Sequence, residues 1–143
     1  MHISEAEISP YHASIVPEAR NVLVFAPHPD DEIFGCGGAI IHHVRAGHSV
    51  HVILLTSGEF GYLDDVGNDY ALTRQNESAY AARLLGLPPP RCWGLADREL
   101  TYDEDLVQRM VEVVEQVGAD VIYAPSPWEL HPDHRATAMA AVE

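Results

Sequence analysis

Two short phrases, far apart in the sequence, combine imidazoles and carboxylates around a proline. The first is HPDDE, from His28 to Glu32, and the second is HPDH, from His131 to His134. In each phrase two candidate ligands stand three residues apart, a spacing that places both on one side of a helical turn. Histidine nitrogen and carboxylate oxygen suit a zinc-like divalent cation. If the phrases meet in space, they form an open metal site with acid–base groups beside it.

Four apolar runs of strand length alternate with four helical patterns along the chain. The strands are predicted over Val22–Ala26, Val50–Leu55, Arg91–Leu95 and Asp120–Ala124, and the helices over Ile33–Arg45, Thr73–Leu85, Asp103–Val117 and Pro132–Val142. The strand runs are apolar on both faces, which favours a buried parallel sheet. We therefore predict an α/β fold, a doubly wound parallel sheet with helices on both faces.

The predicted topology brings the two phrases together. In a doubly wound sheet ordered 3-2-1-4, the first and fourth strands are neighbours, and ligands bind beyond their carboxyl ends. HPDDE follows the first predicted strand and HPDH follows the fourth. The phrases are about a hundred residues apart in sequence, yet we expect them to be adjacent in space.

Helix capping is an alternative explanation of the same carboxylates. Asp30, Asp31 and Asp133 stand where helices are predicted to begin, and an aspartate there can accept hydrogen bonds from free amide groups. One side chain suffices for a cap, so the adjacent pair Asp30 and Asp31 is hard to explain in this way. Two phrases at one predicted crevice favour a metal site, although the residues alone leave open which aspartate of the pair binds the ion.

Composition limits the class of protein and its partners. A chain of 143 residues with 47% hydrophobic content predicts one domain with a true core. Eight basic against 22 acidic residues give a net charge of −14, which repels nucleic acid and anionic membranes. No run approaches the roughly 20 apolar residues of a membrane span. The isolated cysteines Cys36 and Cys92, and a start without a signal pattern, predict a cytoplasmic protein with reduced thiols.

The spaced motifs resemble those of a known family. APHPDDE at 26–32, GCGG at 35–38 and HPDHR at 131–135 are similar to the signature of the LmbE-like (PIG-L) zinc-dependent N-deacetylases. The resemblance implies a Rossmann-like fold, and hydrolysis by a metal-activated water of the N-acetyl group on an N-acetylglucosamine-type small glycoconjugate. We expect an N-terminal arm over residues 1–20 and the deacetylase domain over 21–143, shorter at its C-terminus than is usual in the family.

The resemblance also implies roles for individual residues. Three positions match the family's ligands for zinc or another divalent metal: His28, Asp31 and His134. Asp30 matches the general base, and His131, oriented by Asp133, matches the group that stabilises the oxyanion. A nearby negative charge favours an imidazolium, so Asp133 is expected to keep His131 protonated.

Three further positions are expected to contact the substrate. Glu59 lies in the segment Gly58–Asp65, which follows the second strand and serves equally well as a lid or as a solvated acidic loop. Arg74 resembles a position that contacts substrate hydroxyls or phosphate, with an ion pair to Glu77 as the structural alternative. Asp97, after the third strand, resembles a sugar-contacting position.

Other histidines and two tryptophans are expected to have structural rather than catalytic roles. Four histidines are expected on helix surfaces and at strand ends: His42, His43, His48 and His51. Trp93 and Trp128 are expected to pack in the core or at its rim rather than to stack on a sugar.

Two other functions are compatible with the same residues. The superfamily includes hydratases that add water to an unsaturated carboxylic acid; clustered cations at the rim would favour that activity, and Arg74 is the only obvious one. A catalytically silent metal-binding or carbohydrate-binding fragment is favoured by the short C-terminus, but metal binding alone requires neither Asp30 nor His131. A homo-oligomer would cover a sheet edge left exposed by that short end.

Overall fold

The computed structural model describes residues 16–60 and 68–143, with the side chains of residues 68 and 69 left out. Most of the predicted arm, residues 1–15, and part of the predicted lid, residues 61–65, therefore lie outside the described residues. The elements that the structure describes are β1 (Asn21–Ala26), α1 (Asp31–Arg45), β2 (Ser49–Thr56), α2 (Asn68–Leu85), β3 (Arg91–Leu95), α3 (Glu104–Val117), β4 (Val121–Tyr123) and α4 (Pro132–Ala141).

Each predicted strand and helix is found, with most bounds shifted by one or two residues. The largest difference is in α2, which begins at Asn68 rather than at Thr73. Its first turn opens with the polar pair Asn68 and Asp69, so apolar periodicity does not reveal it.

The sheet confirms the predicted order. Its strands lie in the order β3-β2-β1-β4, and all three pairings are parallel. The two central strands carry the predicted apolar runs, and five of the six residues of β1 are buried. The short strand β4 lies at one edge of the described sheet, where Ile122 is 39% exposed.

Alternating side chains of the central strands build two cores, one on each face of the sheet. Val22, Val24 and Ala26 point to the face covered by α1, where Ile40 packs. Leu23 and Phe25 point to the other face, where side chains of α3 and α4 pack. This period of two along a strand produces three layers, as predicted.

Helix α3 shows how local sequence fixes an element against this sheet. The side chain of Asp103 accepts a hydrogen bond from the backbone N–H of Leu106 and so caps the first turn. Leu106 and Met110 bury one face of the helix, and Gly118, with φ 63°, ends it in the left-handed conformation.

The chain leaves β1 into α1 on one face and leaves β4 into α4 on the other. The crevice between these two exits is the switch point at which an open α/β sheet binds its ligands. It lies where the sequence predicts it. Among the helices that the structure describes, none combines the length and the apolar character needed to cross a membrane.

The predicted place of His43 is wrong. Its side chain is fully buried rather than on the helix surface. Burial is possible because Nδ1 lies 2.8 Å from Nδ1 of His48 and Nε2 lies 2.9 Å from the hydroxyl of Tyr123. Trp93 packs against Phe25, as predicted, whereas Trp128 is 89% exposed.

Candidate metal centre and active site

The first site turn connects β1 to α1. Asp31 closes it, because its Oδ2 accepts the backbone N–H of His28 at 2.9 Å. The same oxygen lies 3.1 Å from Nδ1 of His28, whose side chain is largely buried. Burial by itself raises the pKa of the Asp31 carboxyl, but the hydrogen bonds from His28 and the charge of His134 outweigh it and hold the pKa below its usual value. The Asp31 carboxylate is therefore an anionic group facing an imidazole.

The second site turn opens α4. His131 is the N-cap residue, with Nδ1 accepting the backbone N–H of Asp133 at 3.3 Å, and Pro132 occupies the first turn. One turn into the helix, Nε2 of His134 lies 3.2 Å from Oδ2 of Asp31. The ring centroids of His28 and His134 are 5.3 Å apart. The two phrases thus converge at the switch point.

Asp31 lies close enough to each of two imidazoles to share a divalent metal with it. Nδ1 of His28 and Nε2 of His134 stand 3.1 and 3.2 Å from one carboxylate oxygen of Asp31. Ligands about 2.0–2.1 Å from a tetrahedral zinc ion are about 3.3–3.4 Å from one another, so each of these two separations suits a pair of ligands on one ion. Three protein ligands leave a fourth place free, as in catalytic zinc sites.

The position of His28 is set by two carboxylates behind it. Its Nε2 lies 2.9 Å from Oδ2 of Asp133 and 3.2 Å from Oδ1 of Asp97. Burial lowers the pKa of His28, but the contacts with Asp31 and Asp133 more than reverse this, and the pKa is raised. An Nε2–H held by carboxylates leaves Nδ1 to face Asp31, the arrangement by which buried acids orient metal-binding histidines.

Asp133 contacts the ring of His131 through its backbone N–H and not, as predicted, through its carboxylate. The fully buried carboxylate of Asp133 binds His28 and accepts the backbone N–H groups of Arg98 at 2.7 Å and Leu100 at 3.2 Å. Burial and the charge of His28 lower the pKa of His131, and the opposing attraction of Asp133 does not compensate. Since Nδ1 of His131 accepts a hydrogen bond, the proton of the neutral ring is on Nε2.

Asp30 stands at the N-cap position of α1 but makes no side-chain capping hydrogen bond, which removes the capping explanation for this residue. Its Oδ2 lies 2.9 Å from Nη2 of Arg74, and its side chain is 49% exposed. Among the described residues, two groups have possible ligand atoms that all lie within 4.8 Å of one another: His28 with His131 and His134, and His28 with Asp97, His131 and Asp133; neither Asp30 nor Asp31 belongs to them.

The three expected substrate contacts differ in accessibility. Arg74 pairs with Asp30 rather than with Glu77. Asp97 is 3% exposed and accepts the backbone N–H of Phe60 in addition to contacting His28, a buried position that does not support a sugar contact. Glu59 Oε1 accepts the backbone N–H of Asp97 at 3.0 Å, while Oε2 is buried without a hydrogen-bond partner among the described residues.

Several groups that support the site lie outside the sequence motifs. Glu32 Oε2 accepts the backbone N–H of Asp30 at 3.0 Å, and Oε1 accepts the hydroxyl of Ser78. Arg74 and Ser78 are four residues apart on α2, and this spacing predicts that their side chains lie on the same face of the helix. The amides of Arg98 and Leu100 are backbone groups, so no side-chain pattern reveals them.

A cavity of about 440 Å³ opens beside the cluster. Its lining includes Asp31 and His134 together with the apolar side chains of Phe34 and Pro125. This volume is within the range of small-molecule sites, so a ligand of modest size has room next to the candidate metal position.

Comparison with known proteins gives the family of this chain. The sequence profile of the PIG-L family, described as GlcNAc-PI de-N-acetylase, matches residues 23–143. Diacetylchitobiose deacetylase of Thermococcus kodakarensis is 33% identical over 131 residues, covering 88% of this chain and 49% of the relative. A 4-oxalmesaconate hydratase of Pseudomonas putida is 26% identical over 114 residues, 75% of this chain and 44% of the relative.

A solved structure shares the fold. N,N'-diacetylchitobiose deacetylase of Pyrococcus horikoshii superposes with a TM-score of 0.83 at 34% identity, over 87% of this chain and 49% of that one. The chain spans about half the length of the curated relatives it matches. With a family profile that covers nearly all of the described fold and the motif turns in place at the switch point, the chain belongs to the PIG-L family.

Proposed function

We propose that this chain carries the metal-binding half of a zinc-dependent N-deacetylase, acting on the N-acetyl group of an N-acetylglucosamine-type small glycoconjugate. The observation that carries the proposal is the contact of one Asp31 oxygen with both His28 and His134, at 3.1 and 3.2 Å. The family and the named deacetylase relatives support the reaction class. The arm over residues 1–20, the domain over 21–143 and the cytoplasmic location stay predictions.

We assign the metal to His28, Asp31 and His134. A zinc ion held there would polarise the amide carbonyl and lower the pKa of a bound water to about 7. Asp133 and Asp97 hold His28 in the required orientation from behind. We assign them a positioning role, because both carboxylates are buried and contact Nε2 of His28.

Asp30 is the proposed general base. It adjoins Asp31 in the chain, but its half-exposed carboxylate is paired with Arg74 rather than with the imidazole cluster. A carboxylate at this rim can take the proton of the attacking water and return it to the departing amine. The amide C–N bond breaks, and the products are acetate and a free amine.

His131 is the proposed hydrogen-bond donor to the oxyanion. Its Nδ1 is used by the N-terminus of α4, and its pKa is lowered by burial and by the neighbouring His28. A neutral ring with its proton on Nε2 can still donate to the oxygen that becomes negative as water attacks. The proposed donor is therefore the neutral imidazole of His131 rather than the expected imidazolium.

A hydratase is the second candidate, since one relative carries that name. Addition of water to an unsaturated acid needs a cation that binds the substrate carboxylate. Arg74 is the residue expected to provide this cation, but its guanidinium donates hydrogen bonds to Asp30 and to two backbone carbonyls. The arrangement therefore favours the deacetylase.

Incubation of the zinc-loaded chain with a panel of N-acetylglucosamine conjugates, followed by an amine-reactive dye, tests the proposal. We expect amine release that a chelator abolishes and zinc restores, with Asp30→Asn as the inactive, zinc-loaded control. Loss of the ultraviolet absorbance of unsaturated dicarboxylic acids without amine release would identify a hydratase. Stoichiometric zinc with neither activity would identify a silent fragment.

A further inference from the structure

The cavity of about 440 Å³ beside the cluster combines metal-binding groups with an apolar wall. Asp31 and His134, two of the proposed metal ligands, belong to its lining, together with Phe34, Ala124 and Pro125. The side chain of Phe34 is 86% exposed, so a ligand in this cavity would remove apolar surface from water. Such burial favours the binding of an apolar group.

Polar groups of the cavity wall have partners within the protein. The thiol of Cys36 donates to the carbonyl oxygen of Glu32 at 3.3 Å, and the hydroxyl of Tyr123 lies 2.9 Å from Nε2 of His43. The carboxylate of Glu32 is buried and accepts the backbone N–H of Asp30. Burial raises the pKa of the Cys36 thiol to about 11, so this group is neutral at pH 7. A ligand without polar atoms therefore leaves none of these groups unpaired.

A second, smaller recess lies beside the same turn. It has a volume of about 170 Å³, and its polar lining includes Asp30, Arg74 and Glu77. Among the described residues, Phe34 lines both spaces, whereas neither Asp30 nor Arg74 lines the larger cavity. The backbone of Asp30 is strained, with φ 120°, and the adjacent carboxylates of Asp30 and Asp31 enter different spaces.

The two spaces suit the two substituents of an amide carbonyl carbon. One substituent is the nitrogen, and it must face the proposed general base Asp30 in order to receive a proton. The polar recess of Asp30 therefore belongs to the amine portion of the substrate. The other substituent is the acyl chain, for which the apolar cavity beside Asp31 and His134 remains.

We propose that this chain hydrolyses N-acyl amides whose acyl chain is longer than acetyl, and that the cavity lined by Phe34 and Cys36 binds that chain. Its volume is within the range that holds whole small-molecule ligands, far more than the methyl group of an acetyl amide fills. Water adds to the carbonyl carbon, the C–N bond breaks, and Asp30 passes a proton of that water to the nitrogen. The products are the carboxylate of the acyl chain and a free amine. The reaction rests on the proposed function, whereas acyl binding is tested separately.

A series of N-acyl glucosamines tests the preference for chain length. We expect the zinc-loaded chain to release amine from N-hexanoylglucosamine with a kcat/KM at least about tenfold above that for N-acetylglucosamine. The reason is that each methylene contributes up to about fourfold when it is fully buried. Equal values, or values that fall from acetyl through butyryl to hexanoyl, would overturn the proposal and leave the deacetylase in place.

A charge at the end of the acyl chain provides a matched comparison. N-succinyl and N-butyryl groups both have four carbons, but only the first ends in a carboxylate. The acidic residues that line the cavity are Asp31, Glu32 and Glu129, and its described lining contains no lysine or arginine. We expect kcat/KM for the N-succinyl amide to be at least about tenfold below that for the N-butyryl amide, because the cavity offers this charge no partner. An equally good N-succinyl substrate would contradict an apolar acyl site.

Gly35→Leu fills the cavity and tests its location. Gly35 belongs to the lining and Gly38 does not, and a Cβ at either glycine meets no described atom within 4 Å. We expect the ratio of kcat/KM for N-hexanoyl over N-acetyl to fall at least about tenfold in Gly35→Leu and to keep its parent value in Gly38→Leu. An unchanged ratio in Gly35→Leu would place the acyl chain elsewhere. Should Gly35→Leu fail to fold, Ala124→Leu adds the same side chain from the segment after β4, and the same comparison applies.

Titration calorimetry on the Asp30→Asn variant, with zinc present, measures acyl binding without turnover. We expect a Kd for N-hexanoylglucosamine at least about tenfold below that for N-acetylglucosamine, and no such difference when Gly35→Leu is added. Similar Kd values for the two ligands in Asp30→Asn would overturn the acyl site whatever the kinetics. A parent chain that releases no amine from any conjugate, but whose Asp30→Asn variant shows this difference, would refute the hydrolase and leave the acyl-binding cavity standing.

Discussion

Nε2 of His28 lies 2.9 Å from Oδ2 of Asp133, and this contact determines which nitrogen of the ring faces Asp31. Asp133 is itself immobilised by two backbone amides of the loop after β3. The loop that follows one edge strand therefore orients a proposed ligand, His28, that follows a central strand. The proposed metal position depends on groups that lie outside both histidine phrases.

Asp133→Asn is expected to weaken zinc binding by about 10–100-fold, because the substitution removes the charge that holds the Nε2–H of His28. Competition with a chromophoric chelator measures the affinity. Asp120→Asn is the matched control, since Asp120 also accepts two backbone N–H groups, those of Arg20 and Asn21, but contacts no metal-cluster residue. Equal affinities for the two variants would contradict the role of Asp133.

Asp30→Asn is expected to keep stoichiometric zinc and to lose about 10²–10⁴-fold in turnover, the usual contribution of a general base. Elemental analysis and amine release measure the two quantities on one sample. Asp31→Asn serves as the contrast, because it should lose zinc together with activity. Parallel loss of zinc and activity in Asp30→Asn would show that Asp30 is a ligand.

His43 is expected to make stability depend on pH below neutrality. Burial, followed by the charges of His48 and His42, lowers its pKa in the folded protein. The unfolded chain then binds the proton more tightly, so the contribution is fully present above pH about 6.5 and is lost as the pH falls through the lowered pKa.

Urea unfolding at several pH values checks this dependence. The His43→Gln variant should be less stable at pH 7 but lose less stability between pH 6.5 and 5 than the parent chain. Parallel curves for the parent and His43→Gln would contradict the assignment.

Gly58→Ala is expected to destabilise the fold more than Gly47→Ala. Both glycines have positive φ, 65° and 83°, so both substitutions introduce backbone strain. A Cβ at Gly47 meets no described atom within 4 Å, whereas one at Gly58 collides with Pro29 and Arg74. The difference in the free energy of unfolding is expected to be about 1–3 kcal/mol, the cost of overpacking, and equal values would contradict the tight packing.

The topology was predictable because strand-length apolar runs and their order leave few arrangements of a parallel sheet. That is why the adjacency of His28 and His134 follows from the sequence. The choice of Asp31 over Asp30 does not follow from spacing and came from the family resemblance. Side-chain rotation and the strained backbone of Asp30 turn two adjacent carboxylates toward different partners.

Other features depend on long-range contacts that no local pattern encodes. Asp133 precedes His134 and follows His131, yet its partners are His28 and a loop some 35 residues earlier in the chain. His43 is buried by residues from two other segments that satisfy both of its ring nitrogens. Polar residues of this kind are placed by tertiary structure, so periodicity assigns them to the surface.

X-ray absorption spectroscopy of the zinc-loaded chain tests the central claim most directly. The account predicts one zinc ion bound by two imidazoles and by oxygen ligands, one of them from Asp31. A spectrum with three imidazoles would bring His131 into the ligand set and displace Asp31 from it. That result, or a chain that retains no zinc, would contradict the account.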